Sequence, residues 1–410
     1  MANNFLDTNW VSLEILRLLL NMLEVAEYFN RDWNKEFEKE FAPGSTVQVK
    51  FPQRFFVTDG MGYNPQAINR ISTTVALDQW LQIGFEWDDY EKAVKLERSE
   101  EELRTNYFVP AAAAMAQEWD SRCAKFAYQN ASNIQGILGT DPTSVSTYYG
   151  ARRILKQQAV PPGKECCQIS SSMMATLGSN ITNTFNPVDE ITKMWKQGAI
   201  GRLAGFDMYE SNSLYTHTAG TWAGAVTVTG SGQSGTALII TGTNGDTFKA
   251  GDKFSILNTN AVNPMTRRSA GPLTAKTFTV TQDYTLTGGA DTISILPAIY
   301  GPGSQYQNVD ALPATGAALT LWPGTTSPNG KVGTVGLALT RQAFALSGAK
   351  LYVPKAVEES GSATDPDTGM SVRKVHVWDG VRSMNIHRMD SLGGFGNLYQ
   401  DNGACCVLGA

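Results

Sequence analysis

Between Val11 and Phe29 apolar residues fill most positions and are interrupted by Glu14, Arg17, Asn21, Glu24 and Glu27. The polar residues recur every three or four places, so they draw one narrow stripe on a helix. Leu13, Leu16, Leu19, Leu20 and Leu23 occupy the rest of its circumference. Such a helix needs cover on several sides. Its own domain can supply that cover, or neighbouring copies of the chain can, and its place just before the charged run Arg31 to Glu40 is the first sign of assembly. After the turn Ala42-Pro43-Gly44-Ser45, the segment Thr46 to Thr58 alternates apolar and polar residues as a half-buried strand does. Asp59-Gly60-Met61-Gly62 reads as a tip, and Thr73 to Trp87 reads as a returning strand with Val75, Leu77, Leu81, Ile83, Phe85 and Trp87 at period two. The pattern predicts a long β-hairpin arm carrying Phe55, Phe56, Tyr63 and Trp80. A hairpin of that kind is marginal alone and gains stability on another surface.

Ser99-Glu100-Glu101-Glu102 matches a helix capping box. The helix it opens carries Leu103, Tyr107, Met115, Trp119, Cys123 and Phe126, with Pro110 as a kink or restart and Ala111 to Ala114 as a place of close approach. Beyond Gly136 the patterning is mixed: a strand at Cys167 to Ser170, short helices at Met173 to Leu177 and Val188 to Gln197. From Trp222 to about Thr325 it changes to short Thr/Val/Ile strands (Val226 to Thr229, Ala237 to Thr241, Phe278 to Thr281, Thr292 to Leu296) between Gly-rich turns, which predicts a small β-barrel or sandwich. Mixed patterning resumes over Val332 to Leu346, so the β-segment reads as an insertion within a host domain.

The length of 410 residues suggests roughly two to three domains, and 42% apolar residues suffice for packed cores. With 17% charged residues, a net charge of −5 and no Lys/Arg-dense stretch, sequence-specific nucleic-acid binding is excluded. Met1 to Asn9 lacks the features of an export signal, and Val11 to Phe29 carries too many charges to span a bilayer. The five cysteines (Cys123, Cys166, Cys167, Cys405, Cys406) include two adjacent pairs and no C-x-x-C, which suits reduced thiols and not zinc.

Candidate chemistry fares poorly. Glu86, Asp88, Asp89 and Glu91 could suggest catalytic or metal-binding carboxylates, but acids at a strand-to-helix junction favour the helix N-terminus instead. Gly230 to Gly235 satisfies G-x-G-x-x-G, with Asp252 near the offset of a ribose-binding acid, yet a strand follows where a dinucleotide site needs a helix. Asp365-Pro-Asp367-Thr-Gly369 resembles the start of a calcium loop, but its glycine comes one place early and His376 stands where the bidentate Glu belongs. A hairpin turn is the better reading. His217, His376 and His387 are the only imidazoles, and none sits in a nucleophile motif. The sequence assigns no catalytic residue, cofactor or metal.

The order of parts resembles the coat proteins of tailed double-stranded DNA bacteriophages, in particular the short-tailed branch whose coat carries an inserted β-barrel. Three stretches carry the likeness: Trp195-Lys-Gln-Gly-Ala-Ile-Gly-Arg202-Leu-Ala-Gly-Phe206-Asp207, Phe248-Lys-Ala-Gly251-Asp252-Lys253-Phe254, and Thr368-Gly369-Met-Ser-Val-Arg373 followed by Asn385-Ile-His-Arg388-Met-Asp-Ser-Leu-Gly393. The resemblance implies an α+β capsid fold. Its parts are an N-terminal arm (1–45), an extended loop (46–87), a peripheral domain with a spine helix (88–135), an axial domain in two parts (136–221 and 326–410) and an inserted barrel (222–325). It implies a major capsid protein that assembles with itself into pentamers and hexamers of an icosahedral shell, with a scaffolding protein and a portal as assembly partners. Packaged DNA would be held only weakly, no membrane would be involved, and the protein would be made in the host cytoplasm and found in the virion. Some relatives crosslink subunits through Lys and Asn; Lys50 is the only extended-loop lysine, and no crosslink is assigned. The chain opens at Met1, from which no removal of an N-terminal scaffold segment is expected. Candidate subunit-interface residues are Leu13, Leu16, Leu19, Leu20, Leu23, Phe55, Phe56, Asp59, Met61, Tyr63 and Trp80, with Arg267 and Arg268 on an insertion loop. The physical expectation is that the leading helix and the β-arm are apolar extensions covered by other copies. A carbohydrate-binding or adhesin module, with Trp222 and Trp322 as an aromatic platform, is the alternative. A nucleotide-dependent oxidoreductase resting on Gly230 to Gly235 is a weaker third.

Overall fold

The computed structural model describes residues 8–32, 46–51, 54–55, 57, 60–63, 65–66, 68, 72–88, 104–160, 163–181, 201–269, 275–322, 329–354, 359–365 and 368–410. In chain order these form α1 (Thr8–Met22), β1 (Thr46–Lys50), β2 (Ser72–Asp88), α2 (Val109–Asn130), β3 (Asn133–Gly136), α3 (Val145–Gln157), β4 (Glu165–Ile169) and α4 (Ser171–Ile181). There follow β5 (Arg202–Leu203), β6 (Phe206–Glu210), β7 (Thr216–Thr218), β8 (Thr227–Val228), β9 (Gly235–Thr241), β10 (Thr247–Phe248), β11 (Lys253–Asn260), β12 (Ala275–Val280), β13 (Tyr284–Thr285), β14 (Asp291–Ile299) and β15 (Leu319–Leu321). The chain ends with β16 (Val332–Thr340), β17 (Phe344–Gly348), β18 (Glu359–Thr364), β19 (Ser371–Asp379), β20 (Met384–Asn397), α5 (Gln400–Gly403) and β21 (Ala404–Leu408). The fold is α+β. It divides into two compact units, one of Met1–Val49, Ser72–Cys123 and Phe344–Leu398, the other of Lys50–Ile71, Ala124–Ala343 and Tyr399–Ala410.

The first unit is organised by one long ladder. β2 pairs antiparallel with β20 from Val75 opposite Gly396 to Asp88 opposite Met384, inside a sheet of order β1-β2-β20-β19-β18 to which β17 adds by pairing with β20. The returning strand, expected in an arm covered by other copies, is covered along this ladder by its own chain. A 17-residue strand presents backbone donors and acceptors along two edges; the five residues of β1 lie along one of them and β20 pairs along the other. Between Ala76 and Gln79 the register shifts as β2 bulges around Gly394. A Cβ on Gly394 would lie 1.7 Å from the carbonyl oxygen of Ala76, and one on neighbouring Gly393 would lie 2.7 Å from the Trp119 ring. Trp119, fully buried on α2, also meets Phe395 edge-on at 6.2 Å. Pro110 sits in the first turn of α2, where its missing N–H costs nothing, and a π-helical turn over Arg104–Phe108 precedes it. The capping box at Ser99 and the acids Asp89 and Glu91 lie outside the described residues.

α1 packs on β18 and β19 of its own unit, and Ile15, Leu16, Leu19 and Leu23 are buried there. This corrects the placement of Leu16, Leu19 and Leu23 at a subunit interface: the sheet covers them, and only Leu13 of the stripe stands exposed, with Leu20 half-buried. The chain just after α1 is fixed by a buried carboxylate. Asp120 of α2 accepts from the backbone N–H of Glu24 at 2.8 Å, Val25 at 3.0 Å and Ala26 at 2.8 Å. Four residues further, Phe29 stacks on Phe344 at 5.6 Å.

In the second unit a mixed sheet of order β3-β21-β16-β4-β6-β5, with β7 also on β16, packs against α3 and α4 through Tyr148, Leu155, Met173, Leu177, Phe206 and Val407. A second sheet, of order β15-β11-β12-β14-β9-β8, encloses its own core of Leu238, Ile240, Phe248, Phe254, Phe278, Ile293 and Ile295. Its two outer strands meet, since Thr227 bridges Ala318, Val228 N–H donates to Ala317 O at 2.9 Å and Leu319 N–H to Val226 O at 2.9 Å. The chain leaves the mixed sheet at β7 and returns at β16, and these two strands pair with each other. Gly230 to Gly235 forms the turn between β8 and β9, so the strand read after the glycines stands. Thr368 and Gly369 close the β18–β19 turn on Asp365, through its carboxylate and its carbonyl. All five cysteines are free and buried.

Burial pushes the Asp120 carboxyl up to about 6, against the three amides, which pull it down. An acid raised in the folded state loses stability as pH climbs, because the unfolded chain releases the proton near 4 and the folded one only near 6. The contribution is therefore full below about pH 4 and gone by about pH 6. In urea titrations the stability of the wild type relative to Asp120→Asn should fall by about 3 kcal/mol between pH 3 and pH 7, about 2 kcal/mol of it between pH 4 and pH 6. A difference that stays flat over that range would show that the proton is not held.

Candidate functional site

Among the described residues no cluster of His, Cys, Asp and Glu could hold a metal ion, and no helix is long and apolar enough to cross a membrane. The most elaborate polar arrangement in the second unit lies at the root of the closed sheet, where β11 meets the end of α2. Lys253, the first residue of β11, is fully buried. Its ammonium donates to Tyr128 O at 2.9 Å, to Ala131 O and to Thr279 Oγ1 at 3.1 Å, and lies 4.7 Å from the centre of the Tyr128 ring. Three oxygen acceptors match the three donors of an ammonium. Two of them are carbonyls at the C-terminal end of a helix, the end whose dipole attracts a cation. Burial pulls the Lys253 pKa down, and Cys406, Cys405 and Asp252 push it back up.

Asp252 faces the other way. Its carboxylate takes Nε2 of His217 at 2.8 Å and the N–H groups of Gly220 at 3.0 Å and Lys249 at 2.8 Å. His217, buried, lies 4.9 Å from the Tyr128 ring and 5.6 Å from that of Trp322. Tyr128 OH donates to Gly251 O at 2.8 Å, and burial, with the nearby Asp252, pushes its pKa well up. Farther out, the Asn329 side chain brackets the Trp222 backbone, accepting from its N–H at 3.0 Å and donating to its C=O at 2.7 Å. The contacts of Lys253, Asp252, Tyr128 and Asn329 all go to the backbone or to a neighbouring side chain, so the arrangement fastens strands together. The sequence analysis weighed Asp252 as a ribose-binding acid and quoted Phe248 to Phe254 for its likeness to the coat-protein family, without a role for Lys253. The available signal was the adjacent opposite charges Asp252-Lys253 inside a run bounded by Phe248 and Phe254.

The aromatic platform of the carbohydrate-binding alternative is not present. Trp322 is fully buried, and Trp222 packs edge-on against Phe248 at 4.9 Å. Of the interface candidates, Phe55, Met61 and Tyr63 are exposed, Met61 and Tyr63 almost completely, and so are Val57 and Ile68 of the same segment. Trp80 is 47% exposed. Phe56 and Asp59 lie outside the described residues. Arg268 is exposed and Arg267 half-buried, on a loop tied to α3 by Asn263 Nδ2 donating to Gln157 O at 3.0 Å. His376 stacks on His387 at 4.2 Å.

The family model described as P22 coat protein, gene protein 5, matches residues 1–330 of the chain. No curated protein matches it. Solved structures similar to it include Mycobacterium phage Che8 (14% identity, 94% of this chain and 90% of that chain covered, TM-score 0.49). The capsid structure of Cyanophage P-SCSP1u is similar at 12% identity, with 90% and 84% covered and a TM-score of 0.44. The mature capsid of bacteriophage PhiM1 is similar at 8% identity, with 89% and 82% covered and a TM-score of 0.41.

Replacing Lys253 by Met keeps the volume and takes the ammonium away from Tyr128 O and Thr279 Oγ1, while Ala131 O keeps only the bond from Thr279 Oγ1 at 2.9 Å. The expected loss is about 2 kcal/mol or more in denaturant unfolding, with the midpoint shifted and the slope kept. A midpoint equal to the wild type would mean that the apolar replacement offsets the lost bonds.

Proposed function

Because the chain belongs to the P22 coat protein family, and is thereby a major capsid protein of a tailed phage, we propose that its work is physical: many copies close into an icosahedral shell around double-stranded DNA. The observation that carries this reading is the family match over residues 1–330. Self-association follows from it. The arrangement in pentamers and hexamers, help from a scaffolding protein and a portal, and synthesis in the host cytoplasm before incorporation into the virion are parts of the proposal.

Burial within the subunit bears on which side chains are free to meet another copy. With Leu16, Leu19 and Leu23 already covered by their own sheet, the leading helix no longer supplies the argument for assembly. Phe55, Val57, Met61, Tyr63 and Ile68 remain as a run of apolar side chains in water, more than a single stray hydrophobe on a surface. We assign this run, with Leu13 and Trp80, to contacts between copies. Each contact is modest, and many neighbours per subunit make the sum large. A net charge of −5 suits a wall that holds packaged DNA weakly, since a basic wall would bind the phosphates. The insertion, held by Lys253 and Asp252, is assigned to stiffening the subunit.

Negative-stain microscopy of the protein, alone or co-expressed with a scaffolding protein, should show closed shells of uniform size; dispersed single subunits under both conditions would refute the reading. The double substitution Met61→Asp, Tyr63→Asp should abolish shells and leave the thermal midpoint of the free subunit unchanged, because both side chains already face water. Shells of normal yield from that variant would remove the exposed run from the interface.

A further inference from the structure

One face of the β2–β20–β19 sheet carries a polar device of which the assembly reading above uses only Trp80. Trp80, Gln82, Gly84 and Glu86 alternate on the exposed face of β2, and Leu392, Asp390, Arg388 and Ile386 stand opposite them on β20, with Arg373 of β19 opposite Asp390. Asp390 is completely buried, yet four N–H groups converge on it. Arg373 donates to Oδ2 through Nε at 3.1 Å and through Nη2, while Oδ1 accepts from Arg388 Nε at 2.7 Å and from the Trp80 indole N–H at 3.1 Å. Arg373 uses its remaining nitrogen on Tyr352 O at 2.8 Å, and its guanidinium lies over the Trp80 ring at 5.7 Å. Arg388 is different. Only its Nε is engaged; its side chain is 44% exposed, and its two terminal nitrogens have no partner among the described residues. Glu86, diagonal to it across the ladder, makes no ion pair with it.

Two arginines thus share one carboxylate, which leaves a positive charge on a planar fork whose stem is already fixed, beside a tryptophan held flat by its own hydrogen bond. A guanidinium locked at Nε presents its outer nitrogens in the geometry that a carboxylate takes in two parallel bonds. Fixed beforehand, the fork loses little freedom on binding, and a half-exposed Trp next to an Arg is the composition of an interface anchor. We propose that Arg388 and Trp80 form a docking point for an acidic side chain, with an apolar neighbour, of a second copy of this chain. The occupant follows from charge and from the assembly reading on which this inference rests. The chain is net acidic at −5, so another copy offers carboxylates in excess, and the coat-protein family associates with itself.

The test compares assembly of the full-length wild type with Arg388→Gln and Arg388→Lys, followed by light scattering and sedimentation, with the circular dichroism and thermal midpoint of the free subunit as the fold control. Arg388→Gln should raise the protein concentration needed for half-assembly by about tenfold or more, with the midpoint little changed. Arg388→Lys, which keeps the charge and loses the fork, should fall between the two and serves as the deciding variant if the glutamine does not fold. Assembly of either variant at the wild-type concentration overturns the proposal. So does unchanged assembly of Arg388→Gln shells that retain less duplex DNA, which would make phosphate the occupant. If the wild type itself forms no shells, the assembly reading and this inference fall together, whereas a variant that assembles like the wild type removes this inference alone.

Discussion

The structure depends on how the carbonyl end of α2 is satisfied. A helix leaves its last carbonyls without partners, and here that end is not in water. The chain meets the demand with a lysine from the start of β11, more than a hundred residues away, whose three donors go to Tyr128 O, Ala131 O and Thr279 Oγ1. A buried ammonium is costly unless its bonds are complete, and losing any of the three acceptors would leave a charge in a dry place. Three directed bonds from one buried charge therefore tie the closed sheet to the end of α2. Asp252, next in line, repeats the logic with opposite sign toward His217, Gly220 and Lys249.

Much of this was legible in the sequence, and the reasons differ by element. The short strands of the insertion declared themselves by composition, because Thr, Val and Ile between glycines have few other uses. The burial of Met115, Trp119 and Cys123 followed from helical spacing. Two readings failed for one shared reason. The apolar stripe of α1 and the alternation of β2 each show that a surface must be covered, but neither says by what. The covering elements, β18, β19 and β20, lie some 300 residues downstream, and no local pattern links them to their partners. The same blindness hid Asp120, whose three acceptor bonds go to amides about ninety-five residues earlier. It hid Asp390 as well, since an acid between Met389 and Ser391 gives no hint that Trp80 and two arginines meet on it.

The allocation of apolar side chains that results is informative about assembly. Ile15, Leu16 and Leu19 of α1 and Val75 and Leu81 of β2 are buried within the subunit, and Phe55, Val57, Met61, Tyr63 and Ile68 are not. On the reading proposed above, a subunit built this way can fold before it meets another, because the side chains assigned to contacts between copies are largely gathered on a segment outside its cores. Folding and association then draw on different residues, so a change in one can leave the other intact.

The adjacency of β7 and β16 has a consequence of a different kind. Thr216–Thr218 and Val332–Thr334 are ladder neighbours, so the host sheet is closed at the very point where the closed sheet departs from it. The host register does not depend on the length of what lies between, and a longer, shorter or foreign module could be spliced there without reshaping the rest. Any such graft has to bring its own cation to the end of α2, and that requirement sets which modules the port will accept.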